Sequence, residues 1–423
     1  MQANINRNQL FVASCLALLV TSLSFGIRAG ILNKLGTDFN LSASELSTIA
    51  ATAFWGFPLA VIVGGMVVDI IGMKRLLELA FLFHLAGILL TIFAGGFWTL
   101  FISTLLVGIA NGTVEAACNP LVTALYPDKK TTKLNHFHLW FPGGIVIGTL
   151  ISFYFSNLGI SWQVQVATMI LPTLIYGYLF FKLGFPVTER VAAGVTTEEM
   201  YKSLANPLFL FMIICMFGTA ITELFTGQWI DVLLKSVTDN ALLILTISTG
   251  VMVIGRGLAE PVVHRLSSQG VLVASAVFSA LGLYMLGHST GNMIFVGALV
   301  FGIGVCYFWP TMLGFVSENL PKTGAVGINL MGGAGMFAVS IYTMFMGNFY
   351  DNKLISKLPA GATLEAYNAD SATEEMKTAL AQAKTAAGPE IINATLLIPV
   401  ILTVAFLGLY FYMRNRPKQG IAA

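Results

Sequence analysis

The sequence predicts an all-α polytopic membrane protein of about twelve transmembrane helices in two six-helix halves. Three observations carry that reading. Only 10% of the 423 residues are charged, against about 25% in soluble domains. Apolar residues fall in long blocks such as Leu76–Phe93 and Ala394–Tyr412, and a helix needs ~20 of them to cross the hydrocarbon. A polar stretch at 186–205, with Glu189, Arg190, Glu198, Glu199 and Lys202, divides the blocks six and six. The strand-length alternation of an outer-membrane barrel is missing.

In order, the expected spans are 9–33, 44–71, 76–94, 97–126, 135–157 and 163–185, then 206–234, 241–265, 270–288, 292–319, 324–350 and 389–413. The first reads as a retained helix, not a signal peptide, because no small-residue cleavage site follows it. The halves are thus 1–185 and 206–413, joined by a cytoplasmic loop at 186–205 and followed by a tail at 414–423. A second polar segment, 351–388, is expected as an external loop, with an exposed helix over its Ala/Glu/Lys-rich part from Ala372 to Ala387.

Lys and Arg concentrate on the cytoplasmic side of membrane helices. Arg7, Lys74, Arg75, Lys129, Lys130, Lys133, Lys322 and Arg414 fall on one side of the expected spans, and the short loops opposite hold little beyond Lys34 and Lys235. Both termini are therefore expected in the cytoplasm of a bacterial-type inner membrane. The halves also repeat one another. Gly108-Ile109, Pro127 and Asn135 recur at one shared offset as Gly302-Ile303, Pro321 and Asn329, as in transporters built from parallel repeats around a midplane site.

Cys15, Cys118, Cys215 and Cys306 all sit in apolar blocks and read as packing residues. No cofactor or metal is expected. A net charge of +2 gives no reason to expect nucleic acid. The expected partners are a small-molecule substrate and the lipid bilayer, with the chain acting as a monomer.

Chemistry concentrates in the fourth span. Asn111, Glu115 and Asn119 are spaced i, i+4, i+8 and share a helical face. An acid at midspan costs roughly 2.5–3.5 kcal/mol on insertion scales, so this face is expected to look into a polar cavity where Glu115 can take up and release a proton. Arg28 in the first span could pair with Glu115 or with an anionic substrate, since its planar fork suits carboxylate or phosphate; snorkelling to headgroups is the structural alternative. His138 could relay protons or bond sugar hydroxyls. Glu223, Gln228 and Trp229 in the seventh span combine acid, amide and flat aromatic, a set suited to a polyol. Arg256 and Glu260 in the eighth are four apart and able to pair, as a gating or structural pair. Asn329 and Trp309 are further cavity candidates.

Gly65-x3-Asp69-x2-Gly72-x-Lys74-Arg75 resembles the loop signature of the major facilitator superfamily. That resemblance implies that Asp69, Lys74 and Arg75 hold one state of a rocking cycle, while Gly65 and Gly72 permit a tight helix–loop–helix contact. Gly108-x6-Glu115-x3-Asn119-Pro120, Leu134-Asn135, Glu223-x3-Gly227-x-Trp229, Gly255-Arg256, Trp309-Pro310-Thr311 and Gly332-Gly333-x-Gly335 are similar to the fucose permease branch of sugar:proton symporters. The branch implies a central sugar site, with proton coupling at Glu115 and a substrate-facing place at His138. It keeps a second acid in the first helix, at a place that falls near Ala29 here, where the neighbour is the cation Arg28.

The sequence therefore favours proton-coupled sugar symport through Glu115, with Glu223 as a second candidate, by alternating access; sodium remains open as coupling ion. Organic-anion transport using Arg28 is the alternative. An intramembrane enzyme would need a Ser/His dyad, paired Asp residues or a His-rich motif within the spans, and none is evident.

Overall fold

The computed structural model describes residues 5–227, 241–369 and 371–415, and among these no β-strand occurs. The helices are α1 (Arg7–Asp38), α2 (Ala43–Ile71), α3 (Met73–Ile92), α4 (Phe97–Leu125), α5 (Lys130–His138), α6 (Trp140–Asn157), α7 (Trp162–Ala167), α8 (Ile170–Lys182), α9 (Glu189–Ala192), α10 (Thr197–Leu204) and α11 (Pro207–Ala220). There follow α12 (Ala241–Gly257), α13 (Ala259–His288), α14 (Met293–Val305), α15 (Phe308–Asn319), α16 (Gly324–Ser356), α17 (Leu364–Asn368) and α18 (Glu374–Arg414). By length and composition, eleven helical stretches among the described residues can cross a membrane, and Ile244–Gly257 is a shorter apolar helix beside them. Large apolar side chains such as Trp55, Ile70, Phe93, Trp98 and Met344 are exposed, a surface that lipid tolerates and water does not.

The ends of these helices follow from local chemistry. The Asn6 side chain accepts from Gln9 N and starts α1. Ser42 and Glu45 form a capping box at α2, where the Ser42 amide and hydroxyl hold the Glu45 carboxyl below its ordinary value. Gly72, at φ +87°, ends α2 and precedes α3, so one residue makes the whole turn. Only glycine adopts that conformation without strain.

Several expected elements come out differently. The eighth span, 241–265, is not one helix: α12 ends at Gly257 and α13 starts at Ala259. The following loop near 266–269 is replaced by a continuation of α13, kinked at Ser267 (φ 61°). The sixth span is interrupted between Ala167 and Ile170. In the segment 351–388 the helix expected over Ala372–Ala387 is present from Glu374, but it runs unbroken into the last span, and α16 extends to Ser356. The 41 residues of α18 extend about 60 Å, twice the hydrocarbon thickness of ~30 Å, so the helix exceeds a span. Its start is capped by Thr373, with Glu374 and Glu375 in the first turn. Pro389 and Pro399 lie inside it, each removing one backbone bond and crowding the carbonyl four residues before it.

The chain forms two compact units. One comprises Met1–Ile213, Arg256–Glu260 and Pro310–Ala334; the other comprises Ile214–Gly255, Pro261–Trp309 and Gly335–Ala423. The division differs from the expected 1–185 and 206–413, because α9, α10, the start of α11 and the segments 256–260 and 310–334 group with α1–α8.

Close helix contacts rest on small residues. A Cβ on Gly108 would lie 2.8 Å from Ala53 Cα, and one on Gly112 would lie 2.2 Å from the Phe57 carbonyl oxygen, so α4 presses directly on α2. In the other unit the repeat partner of Gly108 does the same, with a Gly302 Cβ falling 2.8 Å from the Ser248 carbonyl of α12. Pro127 and Pro321 likewise each open a 3₁₀ turn. Gly112→Val should therefore cost about 1–3 kcal/mol or more by overpacking. Gly408→Val, where no atom lies within 4 Å, should cost little. Thermal unfolding of the two variants in detergent measures the difference.

Candidate functional site

Glu115 lies in the middle of α4, where every residue from Ala110 to Val122 is buried. Its carboxylate has a polar neighbour on each side. Asn119 Nδ2, one turn on, donates to Oε2 at 2.7 Å, and His138 Nδ1 stands 3.8 Å from Oε1. His138 Nε2 meets Asn119 Oδ1 at 2.9 Å, so the three side chains close a ring. Arg256, itself buried, donates from Nη1 to the His138 carbonyl at 3.0 Å and sets a positive charge near Glu115. The structure brings Glu115, Asn119 and His138 together, and Arg28 does not pair with Glu115.

Pro120 explains another neighbour. Lacking an N–H, it frees the carbonyl of Ala116, four residues before it. Asn329 Nδ2 supplies the missing bond at 2.9 Å. This approach also accounts for Gly65, where a Cβ would fall 2.5 Å from Asn329 Cβ. Asn329, read as a cavity candidate, is thus a buried backbone cap, and Gly65 serves contact with α16 as opposed to the α2–α3 turn.

Asn111 turns away from Glu115. Its Oδ1 meets His84 Nε2 at 2.7 Å, its Nδ2 donates to Ser24 Oγ at 3.1 Å, and His84 Nδ1 meets the Tyr176 hydroxyl at 2.7 Å. Both ends of this amide are engaged and the residue is fully buried. The shared cavity-lining face expected for Asn111, Glu115 and Asn119 is therefore corrected: Asn111 belongs to a packing network. Positions eight apart on a helix diverge by about 80° at 3.6 residues per turn, enough to reach different neighbours. His84 and Tyr176 escaped sequence reasoning, since a lone histidine in an apolar block gives no signal of its partner.

Around the α2–α3 turn, Asp69 pairs with Arg190 (Nε to Oδ2, 2.6 Å) and accepts from the Thr188 hydroxyl. Arg190 also donates to the Val195 carbonyl. Lys130 reaches Glu189 at 2.8 Å and the Ser317 carbonyl at 3.1 Å, while Glu318 accepts from the Thr131 amide and hydroxyl. The central segment thus ties to Asp69 and Lys130, and Lys130 and Thr131 bond in turn to Ser317 and Glu318. Lys74 and Arg75, which follow Asp69 in the loop signature, do not pair with it in this structure. Lys74 donates to the Phe181 and Leu183 carbonyls at the end of α8, the helix terminus where partial negative charge collects, and Arg75 is exposed. The expected Arg256–Glu260 pair is corrected too. The break at Leu258 ends their common helix, and Glu260 pairs with Lys129 at 2.6 Å.

Arg28 lines a small cavity of about 30 Å³ with Ser24, Thr91, Thr104 and Val166, room for a water or two. Its guanidinium lies 6.0 Å from the Phe25 ring, and among the described residues no carboxylate is within ion-pair distance. In the second unit, Glu223 is buried in a π-helical turn, Ile221–Phe225, a distortion frequent at functional sites. Trp309 packs so closely that a Cβ on Gly335 would touch its ring at 3.0 Å. Gln228 and Trp229 lie outside the described residues.

The Major Facilitator Superfamily profile matches residues 14–344. Among solved structures, the E. coli fucose:proton symporter aligns at a TM-score of 0.69 with 15% identity, over 93% of this chain and 98% of that one. The proton:xylose symporter bound to 6-bromo-6-deoxy-D-glucose aligns at 0.71 with 15% identity, over 98% and 97%. These likenesses show a shared fold. The facilitated glucose transporter member 10 of Xenopus laevis is 26% identical over 161 residues, 38% of this chain and 29% of that protein. The chain spans less than half the length of the curated relatives it matches. With a multi-pass helical fold and a family match over most of its length, the chain belongs to the Major Facilitator Superfamily, whose members are membrane transporters and not enzymes.

Proposed function

We infer that the protein is a proton-coupled symporter of a sugar or sugar derivative. It works as a monomer by alternating access in a bacterial-type inner membrane, with both termini cytoplasmic. The observation that carries this reading is Glu115, an acid in mid-helix, buried, bonded by Asn119 and faced by His138. Such a residue in a membrane helix marks a proton or ion pathway far more often than a packing contact. Sugar as the substrate class is supported by the names of the similar structures, the fucose and xylose symporters. Asp69, Arg190, Lys130 and Glu189 form the cytoplasmic gate, and Glu223, Gln228 and Trp229 are the sugar-binding candidates. Thermal-shift screening of the purified protein tests the substrate class. Stabilisation by fucose, xylose or glucose supports it; stabilisation by gluconate or a sugar phosphate alone favours the organic-anion reading. That second reading rests on Arg28, which has no carboxylate partner among the described residues.

The topology carries its own prediction. A cysteine at Glu375, exposed at the start of α18, should react with an impermeant maleimide in intact cells. Protection in cells, with labelling only after lysis, would reverse the assignment.

A further inference from the structure

Glu115 does not stand alone, and the two hydrogen bonds of Asn119, to Glu115 and to His138, restrict where protons can sit. Asn119 uses its amide nitrogen on Glu115 Oε2, at 2.7 Å, so its oxygen is the atom that faces His138 Nε2 at 2.9 Å. An amide oxygen only accepts. Nε2 must therefore carry a hydrogen, and in a neutral imidazole Nδ1 is then bare. That bare nitrogen faces Glu115 Oε1 at 3.8 Å, beyond the 2.7–3.2 Å of a hydrogen bond. Two acceptors without a hydrogen between them stay apart at such a distance. One proton on either atom turns the contact attractive. A second proton has no acceptor within the pair, because an Nδ1–H and an Oε1–H would oppose each other.

We propose that Glu115 and His138 form a single-proton site, with Asn119 as the positioning residue that fixes the histidine tautomer. The inference rests on the proton-coupled reading and replaces a lone carboxylate by a two-residue site that holds one proton. Around it, Arg256 is the cation that acts on Glu115; Cys118 follows on α4, with Cys15 of α1 beyond it, and His84 of α3 is taken by Asn111 and Tyr176. With the site empty, the Glu115 carboxylate offsets Arg256. A proton taken from water, on Nδ1 or Oε1, adds one positive charge to a buried cluster that includes the Arg256 bond to the His138 carbonyl. Arg256 is thereby loosened on protonation and held on release, a difference between two states that a proton can bias.

The tautomer can be read without any substrate. In full-length protein labelled with 15N-histidine in lipid nanodiscs, His138 is assigned by loss of its signal in His138→Gln. In the wild type, Nε2 should stay protonated from pH 5 to pH 9, with only Nδ1 changing. In Glu115→Gln, the new amide can donate to Nδ1, so His138 should remain neutral with hydrogen on Nε2 throughout. Asn119→Asp keeps an acceptor for Nε2 and should keep the tautomer; Asn119→Leu should mix the two forms. A wild-type His138 with bare Nε2 at any of these pH values would overturn the proposal, as would a His138 that titrates alike in the wild type and in Glu115→Gln. Because the spectra need no transport, a failed tautomer with intact gradient-driven uptake sinks only this site. A correct tautomer without any such uptake sinks only the transport reading.

Discussion

Glu115→Gln is expected to abolish uphill accumulation while leaving substrate binding and exchange in place. A pH difference of one unit is worth about 1.4 kcal/mol per proton, a tenfold concentration ratio. Proteoliposomes with that gradient should concentrate substrate up to about tenfold with the wild-type protein, and to equality with the variant. The amide keeps the shape of the side chain, its bond to Asn119 and its place beside His138, so a folding defect is not expected. What it removes is the negative charge facing Arg256 and the ability to cycle between two protonation states. Unchanged accumulation with the wild-type pH dependence would make Glu115 structural and move the search for the coupling site to Glu223.

The largest stability effect should follow Arg190→Ala. The Arg190 and Asp69 side chains are only 9% and 5% exposed, and removing one partner of a buried pair typically costs about 3–5 kcal/mol because the other charge stays buried. The Thr188 hydroxyl on Asp69 lessens this without replacing the cation. Asp69→Asn together with Arg190→Met should restore much of the loss. Lys129→Ala makes the comparison: that pair with Glu260 is 58% and 55% exposed, and exposed pairs contribute little. Chemical denaturation in detergent should rank the variants in that order. An Arg190→Ala variant as stable as Lys129→Ala would show that the central segment does not clamp the α2–α3 turn.

The parts of this architecture legible in the sequence are those governed by local rules. A span must be long and apolar, so most helices fell where hydropathy put them. Glu115 and Asn119 lie one turn apart on one helix, and that spacing alone brought them together. The hidden parts depend on distant partners. The loop signature marks Asp69, Lys74 and Arg75 without naming their partners: Asp69 pairs with Arg190 in the central segment, while Lys74 is drawn to the carbonyls ending α8. Arg256 and Glu260 had the right spacing, but the break at Leu258 removed the helix that spacing presumed. Asn111 and Asn329 are polar residues in apolar blocks, the usual signal of a cavity, and the structure gives each a buried hydrogen-bond partner instead. Composition could not distinguish these two uses, because both require an amide away from lipid.

Coupling itself is most directly tested by following internal pH in proteoliposomes with no pH gradient at the start. A downhill gradient of fucose or xylose is imposed across membranes containing the wild-type protein, with potassium and valinomycin clamping the membrane potential and no sodium present. The account predicts that protons enter with the sugar, acidifying the lumen in proportion to sugar uptake, and that Glu115→Gln carries sugar downhill without any pH change. Sugar entry by the wild type with a constant internal pH, or entry that appears only when sodium is added, would contradict it.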